Sequence, residues 1–266
     1  MSGWLLAYFG LGLLSGFLAG LFGIGGGVII VTILSILFEI QGVAHEYLLR
    51  LALGTAMATI IFTAMSSLRA HHARGAVRWD LVRALTPGVI VGTFLGTSIA
   101  GSLPTRGLAI FFGFFILFIA IQMALNLKPA PGRDLPGKAG VFGVGAGIGT
   151  ISGLVAIGGG ALTVPWLSWC NVRIQQAIGT SAAMGLPIAV FGTAGYIWQG
   201  WGKVGLPAGS IGYVFLPALA CLLVGSVLTA PLGARLAHSL PVATLKRAFA
   251  LLLLVLAVKM LWSTWG

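Results

Sequence analysis

From Trp4 to Phe38 the chain is almost continuously apolar, with one interruption, Gly23-Ile24-Gly25-Gly26-Gly27. As a single helix that run would extend roughly 52 Å, against a hydrocarbon core of about 30 Å. Adjacent glycines are poor helix material, each costing about 1 kcal/mol relative to alanine. The break therefore folds the run into a hairpin with one full-length arm and one short or re-entrant arm, Val28 to Phe38. The same device returns as Ala156-Ile157-Gly158-Gly159-Gly160, between Val141 to Val155 and Ala161 to Trp169. In lipid, non-helical backbone is tolerated only where protein buries it or where it lines a polar cavity. A tight turn or a close helix contact is the ordinary use of such glycines. Two copies in matching positions are the pattern of a transporter site.

The two breaks belong to a duplication. Gly12, Gly16, Gly20, Leu21, Ile24, Gly25, Gly26, Gly27 and Val31 recur at one offset as Gly145, Gly149, Gly153, Leu154, Ile157, Gly158, Gly159, Gly160 and Val164. Gly54-Thr55 matches Gly179-Thr180, Pro87 matches Pro217, and Leu103-Pro104 matches Leu240-Pro241. The first half (1–127) reads as the hairpin plus spans at Leu48 to Leu68, Ala84 to Ser102 and Gly107 to Leu127. A Pro/Gly-rich linker at 128–138 follows. The second half (139–266) reads as a hairpin plus spans at Ile174 to Trp198, Leu206 to Leu232 and Val242 to Trp262. A hairpin returns to its starting side and three crossings are odd in number, so the halves are expected to be inverted. The predicted fold is an all-α polytopic membrane protein of two inverted repeats, each a glycine-broken helix hairpin plus three transmembrane helices.

Composition agrees. Only 7% of the 266 residues are charged and 58% are hydrophobic, whereas soluble domains carry about 25% charged residues. The net charge of +11 does not signal nucleic acid, because the basic residues sit in short loops, where they set membrane orientation. Arg69, Arg74, Arg78, Arg83, Lys128, Arg133, Lys138, Arg173, Arg235, Lys246 and Arg247 fall on one face; Arg50, Arg106, Lys203 and Lys259 fall on the other. The first face is expected to be cytoplasmic, with both termini outside. Arg50 either pairs with Glu46 at the outer mouth or marks a helix end. Trp4, Trp198, Trp201, Trp262 and Trp265 would form an outer belt. No basic n-region precedes the first apolar run, so the first helix is expected to direct insertion. Cys170 and Cys221 fit no metal spacing and no disulfide framework.

The chemistry implied is anion binding by backbone. The short arms begin at Gly25-Gly26-Gly27 and Gly158-Gly159-Gly160. A helix start carries roughly half a positive charge and N–H donors without partners. Two such starts meeting at the midplane favour a small anion with no Lys or Arg buried. Thr55, Thr180 and Ser181 are candidate hydroxyl donors; for each, the ordinary alternative is a bond to its own helix carbonyl. No metal site and no cofactor are expected. His71 and His72 are candidate proton sensors in a basic loop whose ordinary reading is a solvated face. No buried carboxylate stands out, so coupling to protons stays open, as does the oligomeric state.

The motifs Gly-Leu-Phe-Gly-Ile-Gly-Gly-Gly at 20–27 and Gly-Leu-Val-Ala-Ile-Gly-Gly-Gly at 153–160 resemble those of the sulfite exporter TauE/SafE family of bacterial permeases. So do the stretch from His71 to Asp80 and the Gly179-Thr-Ser-Ala segment, and the likeness runs over nearly the whole chain. In the first copy Gly54-Thr55-Ala56 stands where the family more usually has Ala-Thr-Ser. The resemblance implies a carrier in the bacterial plasma membrane for sulfite or an organosulfonate such as sulfoacetate. Expected partners are therefore a small anionic substrate and the lipid bilayer. A passive anion channel is the alternative. An intramembrane hydrolase would need a pair such as Ser181 and His238, and an enzyme is not expected.

Overall fold

The computed structural model of the chain describes residues 2–22, 26–125, 132, 134–239 and 242–262. Gly23, Ile24 and Gly25, with Asn126 to Pro131, Arg133, the Leu240-Pro241 turn and Trp265, lie outside the described residues. In chain order the helices are α1 (Ser2–Phe22), α2 (Gly27–Ile40), α3 (His45–Ala73), α4 (Trp79–Ser102), α5 (Thr105–Ala124), α6 (Lys138–Val155), α7 (Gly160–Trp169), α8 (Ile174–Gly200), α9 (Leu216–Ser239) and α10 (Val242–Trp262). The described strands are β1 (Ser210–Ile211) and β2 (Val214–Phe215), paired antiparallel before α9. Six of the described helices are long and apolar enough to cross a membrane, so the chain is an all-α, multi-pass membrane protein. The second arms of the two hairpins are short. At 14 residues for α2 and 10 for α7, they reach about 21 Å and 15 Å of a core about 30 Å thick.

The most buried pair is α3 and α8. A methyl placed on Gly192 would touch Met57 and one on Gly185 would touch Ala64, whereas Gly54 lies against Tyr196. Numbers rise along one helix as they fall along the other, so α3 and α8 run antiparallel. Around them the halves are interleaved: α1 packs along α9, α6 along α4, and α5 along α10. The α1–α9 and α4–α6 seams are parallel and close enough for backbone to touch backbone. A methyl on Gly12 would stand 2.8 Å from the Leu222 carbonyl oxygen, and one on Gly145 would stand 2.7 Å from that of Leu85. Glycine is the only residue that admits such an approach.

The contacts along the α1–α9 seam have twins along the α4–α6 seam. Gly225 faces Phe9 as Gly88 faces Phe142, and Gly233 faces Phe17 as Gly96 faces Thr150. Gly54 abuts the Tyr213 carbonyl, three residues before α9; Gly179 abuts the Ala76 carbonyl, three residues before α4. The structure corrects two sequence expectations. Gly88 corresponds to Gly225, so Pro87 does not correspond to Pro217: Pro217 sits in the first turn of α9, two turns from the true counterpart. The matching prolines are a coincidence of type, whereas the glycines are held by backbone contact. The span expected to begin at Leu206 begins instead at Leu216. Between them Gly209 (φ 92°) and Gly212 (φ 53°) take left-handed conformations that form the hairpin rather than a helix.

Candidate functional site

Both short helices start from an uncapped glycine. Gly26 precedes α2 in a left-handed conformation (φ 52°), and Gly159 precedes α7; neither start has a side-chain cap. The Ile30 N–H reaches the Gly26 carbonyl at 3.0 Å, and the Thr163 N–H reaches that of Gly159 at 2.9 Å. The N–H groups of Gly27, Val28 and Ile29, and of Gly160, Ala161 and Leu162, precede the first acceptors within their helices.

The two breaks meet inside the protein. Gly27 is buried with its Cα against the carbonyl of Ala156, the residue that ends α6 at φ 49°. Ile60, midway along α3, bridges both: a methyl on Gly27 would lie 2.8 Å from its Cδ1, and one on Gly158 would lie 3.8 Å from its Cγ2. On the α8 side, Gly159 faces the Ser181 carbonyl and the side chains of Met184 and Ile188. Gly160 faces the Ser181 hydroxyl, 3.8 Å from where its Cβ would be. The contacts described at the break thus come from apolar side chains and neutral polar groups, with no ionisable group among them. Ser181 is 2% exposed. The Thr163 hydroxyl, in the first turn of α7, is buried with no hydrogen-bond partner.

The structure therefore groups Gly26, Gly27, Gly158, Gly159, Gly160 and Ser181, while Gly25 lies outside the described residues. Thr55 and Thr180 have other engagements. The Thr55 hydroxyl donates to the Leu51 carbonyl (2.7 Å) and accepts from the Phe215 N–H (3.0 Å). The Thr180 hydroxyl accepts from the Arg78 N–H (3.1 Å). Phe215 directly precedes α9 and Arg78 directly precedes α4, so each threonine ties its own half to the other half's next helix. Sequence reasoning missed Thr163, Ile60, Met184 and Ile188. Thr163 had a readable signal, its place three residues after Gly160; the other three look like ordinary core residues.

Arg50 does not pair with the Glu46 carboxylate. It is 8% exposed, and its guanidinium donates to three backbone carbonyls: Ala100 (Nε, 2.9 Å), Glu46 (Nη1, 2.5 Å) and Leu103. It fastens α3 to the C-terminal end of α4, whose dipole favours a cation there. Among the described residues the one ion pair is Arg78 with Asp80, at the exposed start of α4. His72 accepts a hydrogen bond from the Trp79 indole at 3.3 Å, far from the break along α3.

Comparison with known proteins gives a family. The profile of the sulfite exporter TauE/SafE family matches residues 8–260. A probable membrane transporter protein of Haemophilus influenzae is 39% identical over 251 residues, covering 94% of this chain and 95% of the relative. The probable membrane transporter protein YdhB of Bacillus subtilis is 26% identical over 248 residues (90% and 92% covered). The probable membrane transporter protein MJ0441 of Methanocaldococcus jannaschii is 26% identical over 238 residues (85% and 83% covered). No solved structure matches the chain.

Proposed function

The chain belongs to the sulfite exporter TauE/SafE family, and from that premise we propose a secondary transporter that moves a small sulfur-containing anion, sulfite or an organosulfonate such as sulfoacetate, across the bacterial plasma membrane. Family and relatives are those of a membrane transporter rather than of an enzyme. The observation that carries the anion reading is the meeting of Gly27 with Ala156. It sets the uncapped start of α2 against the end of α6, four residues before the uncapped start of α7, and N–H groups at such starts favour negative charge. The residues proposed to hold the substrate are Gly25, Gly26, Gly27, Gly158, Gly159, Gly160 and Ser181, with Thr163 added. Thr55 and Thr180 are proposed as braces. The walls of Ile60, Met184 and Ile188 suit an anion with little hydration.

The antiparallel α3 and α8 and the duplicated contacts support reading the halves as inverted repeats. Such halves rock about a fixed midplane site in alternating access. In this reading the Arg69–Arg83 face is cytoplasmic and both termini are outside. Proteoliposomes test the proposal: sulfite or sulfoacetate flux saturates with concentration and lacks single-channel currents. A flux that is linear in concentration with unitary currents makes the protein a channel, and absent flux and binding remove the reading. Gly160→Leu is the matching variant. Its Cβ meets nothing closer than 3.8 Å, so the fold survives, while the side chain fills the space before Ser181 and flux falls at least tenfold.

A further inference from the structure

Two more hydroxyls are fully buried without a hydrogen-bond partner, Thr93 on α4 and Ser152 on α6. They lie at one level of one seam. A methyl on Gly149 would stand 2.8 Å from the Thr93 nitrogen, and one on Gly153 would stand 2.8 Å from the Thr93 carbonyl oxygen. The Thr93 backbone therefore lies against the turn of α6 that carries Ser152. The third wall is α8: Gly195 packs against Thr97, and the buried Tyr196 hydroxyl donates to the Gly153 carbonyl at 2.8 Å. That turn is the last of α6, which stops at Ala156 (φ 49°). Its carbonyls have no further turn of helix to accept from, the Gly153 carbonyl being taken by Tyr196, and form the negative end of the helix dipole.

We propose that Thr93, Ser152 and the last-turn carbonyls of α6 form a binding site for a single monovalent alkali cation, sodium being the probe. An unpartnered buried hydroxyl is unfavourable, and a bound cation gives the oxygen lone pairs a partner at both positions. The donor set is oxygen only and neutral. That set disfavours calcium, which recruits carboxylates, and transition metals, which take imidazole or thiolate. Broken-helix C-terminal ends and free carbonyls are groups that coordinate sodium inside membranes. The other half supplies an internal control. By the register of Gly88 with Gly225 and Gly153 with Gly20, the counterparts of Thr93 and Ser152 are Ala230 and Ala19. One break carries the hydroxyl pair and the other does not, so the expected stoichiometry is one. The site adjoins the anion-facing start of α7 across Ala156 to Gly159. That places a positive charge beside a negative one and gives a physical route to coupling.

The test needs no transported anion. Purified protein in nanodiscs is titrated with sodium, potassium or choline at constant chloride and ionic strength, and thermal unfolding is followed. The midpoint rises saturably with an alkali cation and not with choline. Thr93→Val and Ser152→Ala each weaken the half-saturating concentration tenfold or more, while Ser35→Ala, at a hydroxyl bonded to the Val31 carbonyl, leaves it unchanged. Radioactive sodium binding to the unmutated protein, at one ion per chain, gives the same answer if a variant fails to fold. Identical midpoints in all three salts mean that the seam holds water only, and the proposal fails. Cation binding unaffected by either variant also overturns it. Loss of sulfite flux in a separate assay leaves this result standing, so the two readings fail separately.

Discussion

Thr55 and Thr180 show how a residue type that suits a ligand can be taken up by the fold. Each hydroxyl accepts a backbone N–H from the opposite half, of Phe215 and of Arg78 respectively. Removing the acceptor strands a buried N–H, which costs about 1–3 kcal/mol. Thr55→Val is therefore expected to lower the thermal midpoint by several degrees in the same membrane mimic, with the half-saturating substrate concentration unchanged. If Thr55→Val instead raised that concentration tenfold with no loss of midpoint, the hydroxyl would belong to the site. Ser181, the next residue after Thr180, should behave the other way. Its side chain faces Gly160, so Ser181→Ala is expected to weaken substrate binding and leave stability within about 0.5 kcal/mol.

The glycines of α6 divide by what they touch. Gly145, Gly149 and Gly153 lie against the backbone of α4, whereas a methyl added at Gly143 or Gly147 would meet nothing within 4 Å. Alanine is the better helix former by about 1 kcal/mol. Gly143→Ala and Gly147→Ala are thus expected to raise the unfolding midpoint. Gly149→Ala puts a methyl into the Val89 carbonyl and is expected to lower it or abolish folding; similar midpoints for all three variants would refute this packing. The glycine stripe itself was legible in the sequence. Which glycines were structural was not, because the helical period gives a face but not the neighbour on that face.

At the scale of the molecule, α1 needs α9 and α4 needs α6. The helices of the two proposed repeats, 1–127 and 139–266, are interleaved, so either repeat expressed alone is expected to be degraded, and both together to reassemble. The antiparallel α3–α8 pair also offers a test of motion. Ala64 Cβ is 3.5 Å from where a Gly185 Cβ would be, within the range of a disulfide. With Cys170 and Cys221 replaced, Ala64→Cys together with Gly185→Cys should stop flux on oxidation and recover it on reduction. Undiminished flux in the oxidised protein would mean that α3 and α8 do not move apart during transport.

Apolar run length and the low content of charge determined by themselves that the chain lives in a bilayer as helices, because no other structure satisfies its backbone there. The doubled glycine breaks likewise placed two short helix starts, and the common offset showed the duplication. Only the tertiary structure decided that the breaks touch at Gly27 and Ala156, that Thr55 and Thr180 serve as ties, and that Thr93 and Ser152 share one seam. Those facts depend on which backbones glycine lets come together across the halves, and long-range contact leaves no periodic trace along a single chain.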